Sequence, residues 1–195
     1  MPLAAVVLAA GASSRMGRPK ALLRWRGRPF VHHAIALARA AGAHPVVVVE
    51  GAVALPDEAL AGAIRARNEA WAEGPLRSLQ AGLRALADAG PPDAAVLVLT
   101  VDRPHVRAET VRALADAHAA DPAAIWQPRH GARRGHPIVH PAELVPALVE
   151  LRPPQTPRTL LARPEVAARR RFVDVDDPAV LDNLDRPEDL ERLPP

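Results

Sequence analysis

Short apolar runs separated by amphipathic stretches set the frame of this chain. Residues 3–8 are apolar throughout, and residues 46–49 and 96–99 repeat the pattern, each run bounded by turn-forming residues. A strand that is apolar on both faces belongs inside a parallel sheet with helices over both sides. Between the runs, apolar positions recur at helical spacing. One helix is predicted over residues 29–41, with Pro29 in its first turn and Gly42 as its C-terminal cap. A second runs over 76–89 and stops at Gly90-Pro91-Pro92, and a third covers 107–118. Strands alternating with helices predict an α/β fold: a three-layer α/β/α sandwich on a mostly parallel sheet.

After Asp121 the pattern changes. Short β-like pieces stand at 124–127 and 138–140, a helix is predicted over 141–151, and a Pro-rich stretch fills 152–157. A further strand is expected at 172–175, and a short helix at 187–193 opens with acidic residues. No internal repeat or long linker divides the 195 residues, which suffice for one well-buried core. No apolar run approaches the roughly 20 residues of a membrane span. The first residues lack the basic start and cleavage pattern of a signal peptide, and the absence of cysteine excludes disulfides and thiolate metal sites. A cytoplasmic protein away from membranes is expected. Its isoelectric point is high. With a net charge of only +3, no Tyr and few aromatic residues, that value reflects missing buffering groups and gives no reason to expect nucleic-acid binding.

The chemistry concentrates in the segment after the first strand, Leu8-Ala9-Ala10-Gly11-Ala12-Ser13-Ser14-Arg15-Met16-Gly17-Arg18-Pro19-Lys20. Small residues let backbone N–H groups approach a ligand, and Arg15 and Lys20 add spaced cations, which suits a nucleoside triphosphate. Lys20 is the chain's one lysine among 25 basic residues, a compact point charge where all the others are planar forks. Five residues separate Gly11 from Gly17 and Arg18 follows, so the segment is not a Walker A loop. Gly11-Ala12-Ser13 likewise lacks the second glycine of a dinucleotide fingerprint.

This segment resembles the signature loop of small nucleotidyltransferases with a glycosyltransferase-A-like fold, above all the molybdenum cofactor cytidylyltransferase and guanylyltransferase group. The resemblance implies transfer of a nucleoside monophosphate from a nucleoside triphosphate to a phosphate acceptor, release of pyrophosphate and a requirement for Mg²⁺. It implies one nucleotidyltransferase domain over 1–195, with 1–120 binding nucleotide and 121–195 forming the acceptor side. Residues Leu8, Ala9, Ala10, Gly11, Ala12, Ser13 and Ser14 would then bind nucleotide, and Arg15, Lys20 and Asp102 would act in catalysis.

Asp102 follows the apolar run 96–99 and so sits at the mouth of the sheet, where ligands bind and a carboxylate can hold Mg²⁺. A turn-forming Asp ahead of Pro104 is the alternative. The family has an Asp-x-Pro here; Arg103 is unusual for it and has either a phosphate or solvent to face. By spacing, Asn68 and Ser78 match family positions that touch base or ribose, although Ser78 also reads as an ordinary helix start. Gly135-His136-Pro137 matches a Gly-His-Pro of the cytidylyltransferase-like branch, so His136, with Arg133 and Arg134, is read as acceptor-binding; a solvated basic loop is the other reading. In Asn183-Leu184-Asp185-Arg186-Pro187 the family's first acid is replaced by Asn183 and its Thr by Arg186. Asp185 is left as a second metal carboxylate or as the cap of the helix starting at Pro187. Of the family's Gly-x-Arg only Arg158 remains. His32 and His33 are assigned to a helix face, and residues 169–171 to a solvated run.

Ala10 and the Gly-His-Pro triplet favour CTP with a molybdopterin-type acceptor by analogy, with GTP or a sugar phosphate as alternatives. A molybdoenzyme or an insertion chaperone would be the protein partner. The reading of another class is a carrier that binds the cofactor without turnover.

Overall fold

The computed structural model describes residues 2–91 and 93–195, so Pro92 of the predicted helix stop lies outside the described residues. Strand β1 (Leu3–Leu8) leads through the signature loop and a hairpin, β2 (Arg24–Trp25) and β3 (Arg28–Pro29), into helix α1 (Phe30–Ala40). Then come β4 (Val46–Glu50), α2 (Asp57–Leu60), β5 (Ile64–Arg67), α3 (Pro75–Ala89), β6 (Ala95–Thr100) and α4 (Ala108–Ala120). The second part holds β7 (Ile125–His130), β8 (Arg133–Arg134), β9 (Ile138–His140), α5 (Val145–Glu150), α6 (Pro157–Leu161), α7 (Pro164–Ala167) and β10 (Arg170–Asp174). It ends in 3-10 turns at Pro178–Leu181 and Pro187–Arg192.

One sheet runs in the order β10-β7-β9-β6-β1-β4-β5, with β8 paired to β7. β5, β4, β1 and β6 are mutually parallel, and β10 is parallel to β7; β9 runs antiparallel to both β6 and β7. The reversal at β9 leaves β7 pointing the same way as β1 and β6, so the ends of all three open on one rim, where α/β sheets bind ligands.

Both faces of the central strands are dry. Ala5 and Val7 of β1 pack in one core with Val31, Ala34, Ile35 and Ala38 of α1 and Val111 and Leu114 of α4. Ala4 and Val6 face the other way, toward Leu76, Leu79, Leu83 and Leu86 of α3 and Leu148 of α5. The predicted three-layer sandwich therefore holds. β1 and β9 keep their predicted bounds, β4 and β6 are longer by one and two residues, β7 starts one residue later and ends three later, and β10 starts two residues earlier and ends one earlier. Pro29 stands just before α1 and pairs with Arg24 across the hairpin. Gly42 takes φ +73° two residues past the helix end, a conformation that suits glycine. The predicted helix over 141–151 splits into a 3-10 turn at Ala142–Leu144 and then α5, whose Pro146 can give no N–H to a preceding turn.

Glycine at position 82 is imposed by packing. A Cβ there would lie 2.5 Å from Cγ1 of Val6 and 2.8 Å from Cγ2 of Val49, two rigid side chains of the sheet. Gly82→Ala is expected to destabilise the fold by about 1–3 kcal/mol, seen as a lower urea midpoint at unchanged slope.

His140 of β9 is 3% exposed, and burial first, then the neighbouring His136, push its imidazole down to about 4. The folded protein thus keeps His140 neutral where the unfolded chain would protonate it. Its contribution is an opposing one: stability falls as pH drops from about 6.5 to about 4, because the unfolded state takes up the proton first. Urea titrations across that window should show a shallower fall in His140→Gln than in the parent; an unchanged slope would assign the fall to other groups.

Candidate active site

The signature loop is fastened at its start to β4. The N–H of Ala9 donates to the carbonyl of Val49 at 2.9 Å, and that of Ala52 to the carbonyl of Ala10 at 3.0 Å. Ala10 is 3% exposed, and its methyl faces Gly51, where an added Cβ would lie 2.9 Å from Ala10 Cβ and 2.6 Å from Trp71 Cβ. Ser13 then takes φ +54°, and its Oγ accepts the N–H of Lys20 at 3.0 Å, closing the loop on itself. The turn Ser14–Met16 ends at Gly17, with φ +72°. Met16 is 4% exposed and joins Leu23, Phe30 and Leu184 in a small third core. With Met16 anchored inward, its neighbour Arg15 is left 62% exposed and pairs across the cleft with Asp185.

Leu184 brings the opposite wall to this loop. Its side chain is fully buried, and its N–H donates to the carbonyl of Asp102 at 3.1 Å. Asp185 is thereby presented to the loop. Its Oδ1 accepts from Lys20 Nζ, and its Oδ2 accepts from Arg15 Nη2 at 2.8 Å and Asn183 Nδ2 at 2.8 Å. Burial works against the charge of Asp185, but the Lys20 and Arg15 cations outweigh it and hold the carboxyl below its usual range. Capping of the last turn falls to Asp189, whose Oδ2 accepts the N–H groups of Asp185 and Arg186, both at 2.8 Å.

Asp102 stands just past β6. Its Oδ1 accepts from Thr100 Oγ1 and from Arg103 Nη1 at 2.9 Å. Arg103 also donates from Nη2 to Asn183 Oδ1 at 3.3 Å, and its side chain is only 15% exposed, so it does not lie in solvent and ties Asp102 to the C-terminal segment. Among the described residues no donor reaches Asp102 Oδ2.

A cleft of about 290 Å³ takes in Leu8, Ala9, Gly11, Ser13, Ser14, Arg15, Lys20, Asp102 and Asp185, together with Pro75, Thr100 and Val101. Ala10 is turned into the core, and Ala12 is exposed outside the cleft lining. Asn68 and Ser78 are each 5% exposed and hydrogen-bond one another, Nδ2 to Oγ, at 3.0 Å. His136 lies beside Asp102 and Arg103 but outside the cleft lining; burial first, then the Arg103 charge, push it down to about 4, with Asp102 opposing. Gly135 has no room for a side chain, since a Cβ would sit 2.4 Å from the carbonyl oxygen of Val180. Arg133 and Arg134 are exposed on β8, the latter 5.2 Å from the centre of the Phe172 ring. Arg129 and Arg170 approach the same ring at 5.5 and 5.8 Å, and Arg170 also donates to Gln127 Oε1 at 2.7 Å, so the 169–171 run is not simply solvated. His32 and His33 do lie on α1, bonded to the carbonyls of Glu58 and Trp25.

The sequence reading missed Thr100, Pro75 and the Arg103–Asn183 bridge. Thr100 carried a signal: a hydroxyl closing an apolar strand two residues before an acid. The bridge joins residues 80 positions apart and had none.

Residues 5–169 match the model of the MobA-like NTP transferase domain. A probable molybdenum cofactor guanylyltransferase of Opitutus terrae is 41% identical over 110 residues, covering 54% of this chain and only 50% of that protein. Nicotine blue oxidoreductase of Paenarthrobacter nicotinovorans is 39% identical over 73% of this chain and 72% of its own. Among solved structures, a nucleotidyl transferase from Methanothermobacter superposes with a TM-score of 0.78 at 28% identity, covering 98% of this chain and 95% of that one. The chain belongs to the MobA-like NTP transferase family and carries its mixed α/β, glycosyltransferase-A-like nucleotidyltransferase fold.

Proposed function

We propose that this protein transfers a nucleoside monophosphate from a nucleoside triphosphate to a phosphate acceptor. One observation carries the reading: Arg15 and Lys20 share a single cleft with Asp102 at the rim where β1 and β6 end. An oxygen of the acceptor phosphate attacks the α-phosphorus; the bond from that phosphorus to the bridging oxygen breaks, and pyrophosphate leaves with the electron pair. The attacking oxygen is already ionised, so the work is positioning and charge neutralisation. Loop N–H groups between Ala10 and Ser14 cradle the phosphates, and Arg15 and Lys20 balance the charge on the departing pyrophosphate.

The donor set fits magnesium. Asp102 Oδ1 is already taken and, among the described residues, no donor reaches Oδ2, which leaves one oxygen for a metal. Among the described residues no group of three or more His, Cys, Asp or Glu could hold an ion alone, so phosphate oxygens and water would complete the shell, the habit of Mg²⁺. Held there, the ion would neutralise charge on the phosphate oxygens.

The acceptor and base rest on the relatives. The guanylyltransferase named above supports GTP as donor and a molybdopterin-type acceptor. CTP is the second reading, favoured by the Gly135-His136-Pro137 triplet. Its other support, Ala10, is weakened because that methyl packs on Gly51 and not in the cleft. A relative also bears an oxidoreductase name, so the reaction class rests on the cleft.

Purified protein with Mg²⁺ and molybdopterin is expected to release pyrophosphate from GTP, with CTP tested in parallel and in competition. No release from any triphosphate would sink the transferase reading and favour a cofactor carrier. Lys20→Ala is expected to lower turnover at least about tenfold, the scale of losing one transition-state donor; unchanged turnover would remove Lys20 from the reaction.

A further inference from the structure

The donors that a polyphosphate would need are already occupied. Lys20 Nζ sits on one oxygen of Asp185, and Arg15 Nη2 and Asn183 Nδ2 sit on the other, both at 2.8 Å. The Lys20 and Asp185 side chains are 13% and 19% exposed, so water screens this pair weakly. All three donors converge on one carboxylate in the cleft itself.

We propose that Asp185 is a built-in stand-in for the anionic substrate: it holds the two phosphate-seeking cations in the free protein and must surrender both when a polyphosphate binds. The exchange needs only a side-chain rotation. Leu184 stays fixed by its full burial and by its N–H on the Asp102 carbonyl, so the segment keeps its place while the carboxylate swings. The device sets a carboxylate between two cations of the cleft, which offsets their mutual repulsion, and it sets a cost on binding: an incoming anion has to displace a carboxylate from both cations. A single phosphate offers the same atoms with less charge, so the selection favours di- and triphosphate tails over monophosphates. This inference rests on the reading of the cleft as a polyphosphate site.

Pyrophosphate in excess chelator, with no metal present, is the direct probe. Titration calorimetry should show Asp185→Asn binding pyrophosphate at least about tenfold more tightly than the parent, since hydrogen bonds to charged groups are at stake on both cations. In a Lys20→Met background the same substitution should gain much less. Equal or weaker binding by Asp185→Asn, with its circular dichroism unchanged, overturns the inference and leaves the polyphosphate reading intact. No binding by either protein removes both. A second measurement needs no substitution. Because Lys20 is the only lysine, lysine labelled with ¹³C at Cε gives a single side-chain signal. That signal should shift saturably as pyrophosphate is added to the parent protein. Heat of binding without movement of the signal would show that Lys20 never leaves Asp185, and the inference would fail.

Discussion

The site depends on one buried leucine. Leu184 shares a core with Met16 of the signature loop, Leu23 just before β2 and Phe30 at the start of α1. Burying a leucine of this kind contributes about 1.5–3 kcal/mol, which offsets the backbone entropy of about one or two residues of irregular chain. Two consequences follow from the same side chain. Met16 turned inward leaves Arg15 facing outward, and Leu184 turned inward leaves Asn183 and Asp185 on the cleft side. The charged groups of both walls are thus placed by apolar neighbours, and the Leu184 N–H on the Asp102 carbonyl sets the third.

Electrostatics then decide what such an arrangement can hold. Arg15, Lys20 and Arg103 face Asp102 and Asp185, which leaves one positive charge in excess. Ion pairs at an exposed surface contribute little, as for Arg112 and Glu109, which are 55% and 77% exposed. Inside the cleft the balance differs for Lys20, Arg103, Asp102 and Asp185, whose side chains are each less than a fifth exposed, whereas Arg15 stays largely in water. Asp185 shows the outcome: desolvation is the largest single effect on its carboxyl, yet the cations together exceed it. A site that stabilises one carboxylate against burial has donors to offer a phosphate chain.

What the sequence revealed follows from how local each feature is. β1, β4 and β6 were legible because a strand dry on both faces announces itself by composition alone. β5 was not: in Ile64-Arg65-Ala66-Arg67 only Ala66 is buried, and the two arginines reach back to Glu50, a pairing across the sheet edge that no local pattern encodes. The hairpin strands β2 and β3 are too short to show a period. In the site, the loop could be read because strand, small residues and cations are contiguous. The spacing of Asn68 and Ser78 was visible, but not that they bond to each other, nor that Asp189 caps the last turn and releases Asp185 from that task.

Position 10 shows how a motif residue can answer to packing before it answers to ligand. The methyl of Ala10 and the empty side of Gly51 are complementary: a Cβ on Gly51 would come within 2.9 Å of Ala10 Cβ and its carbonyl oxygen, and within 2.6 Å of Trp71 Cβ. Real carbon atoms do not approach so closely, so glycine at 51 is required by the Trp71 Cβ and the Ala10 carbonyl oxygen as well as by the Ala10 methyl. The methyl at 10 therefore lies in a corner shared with the β4 end and the Trp71–Glu73 turn. A base-reading role would have to act through movement of that turn, because the methyl itself is sealed in the core beneath the loop.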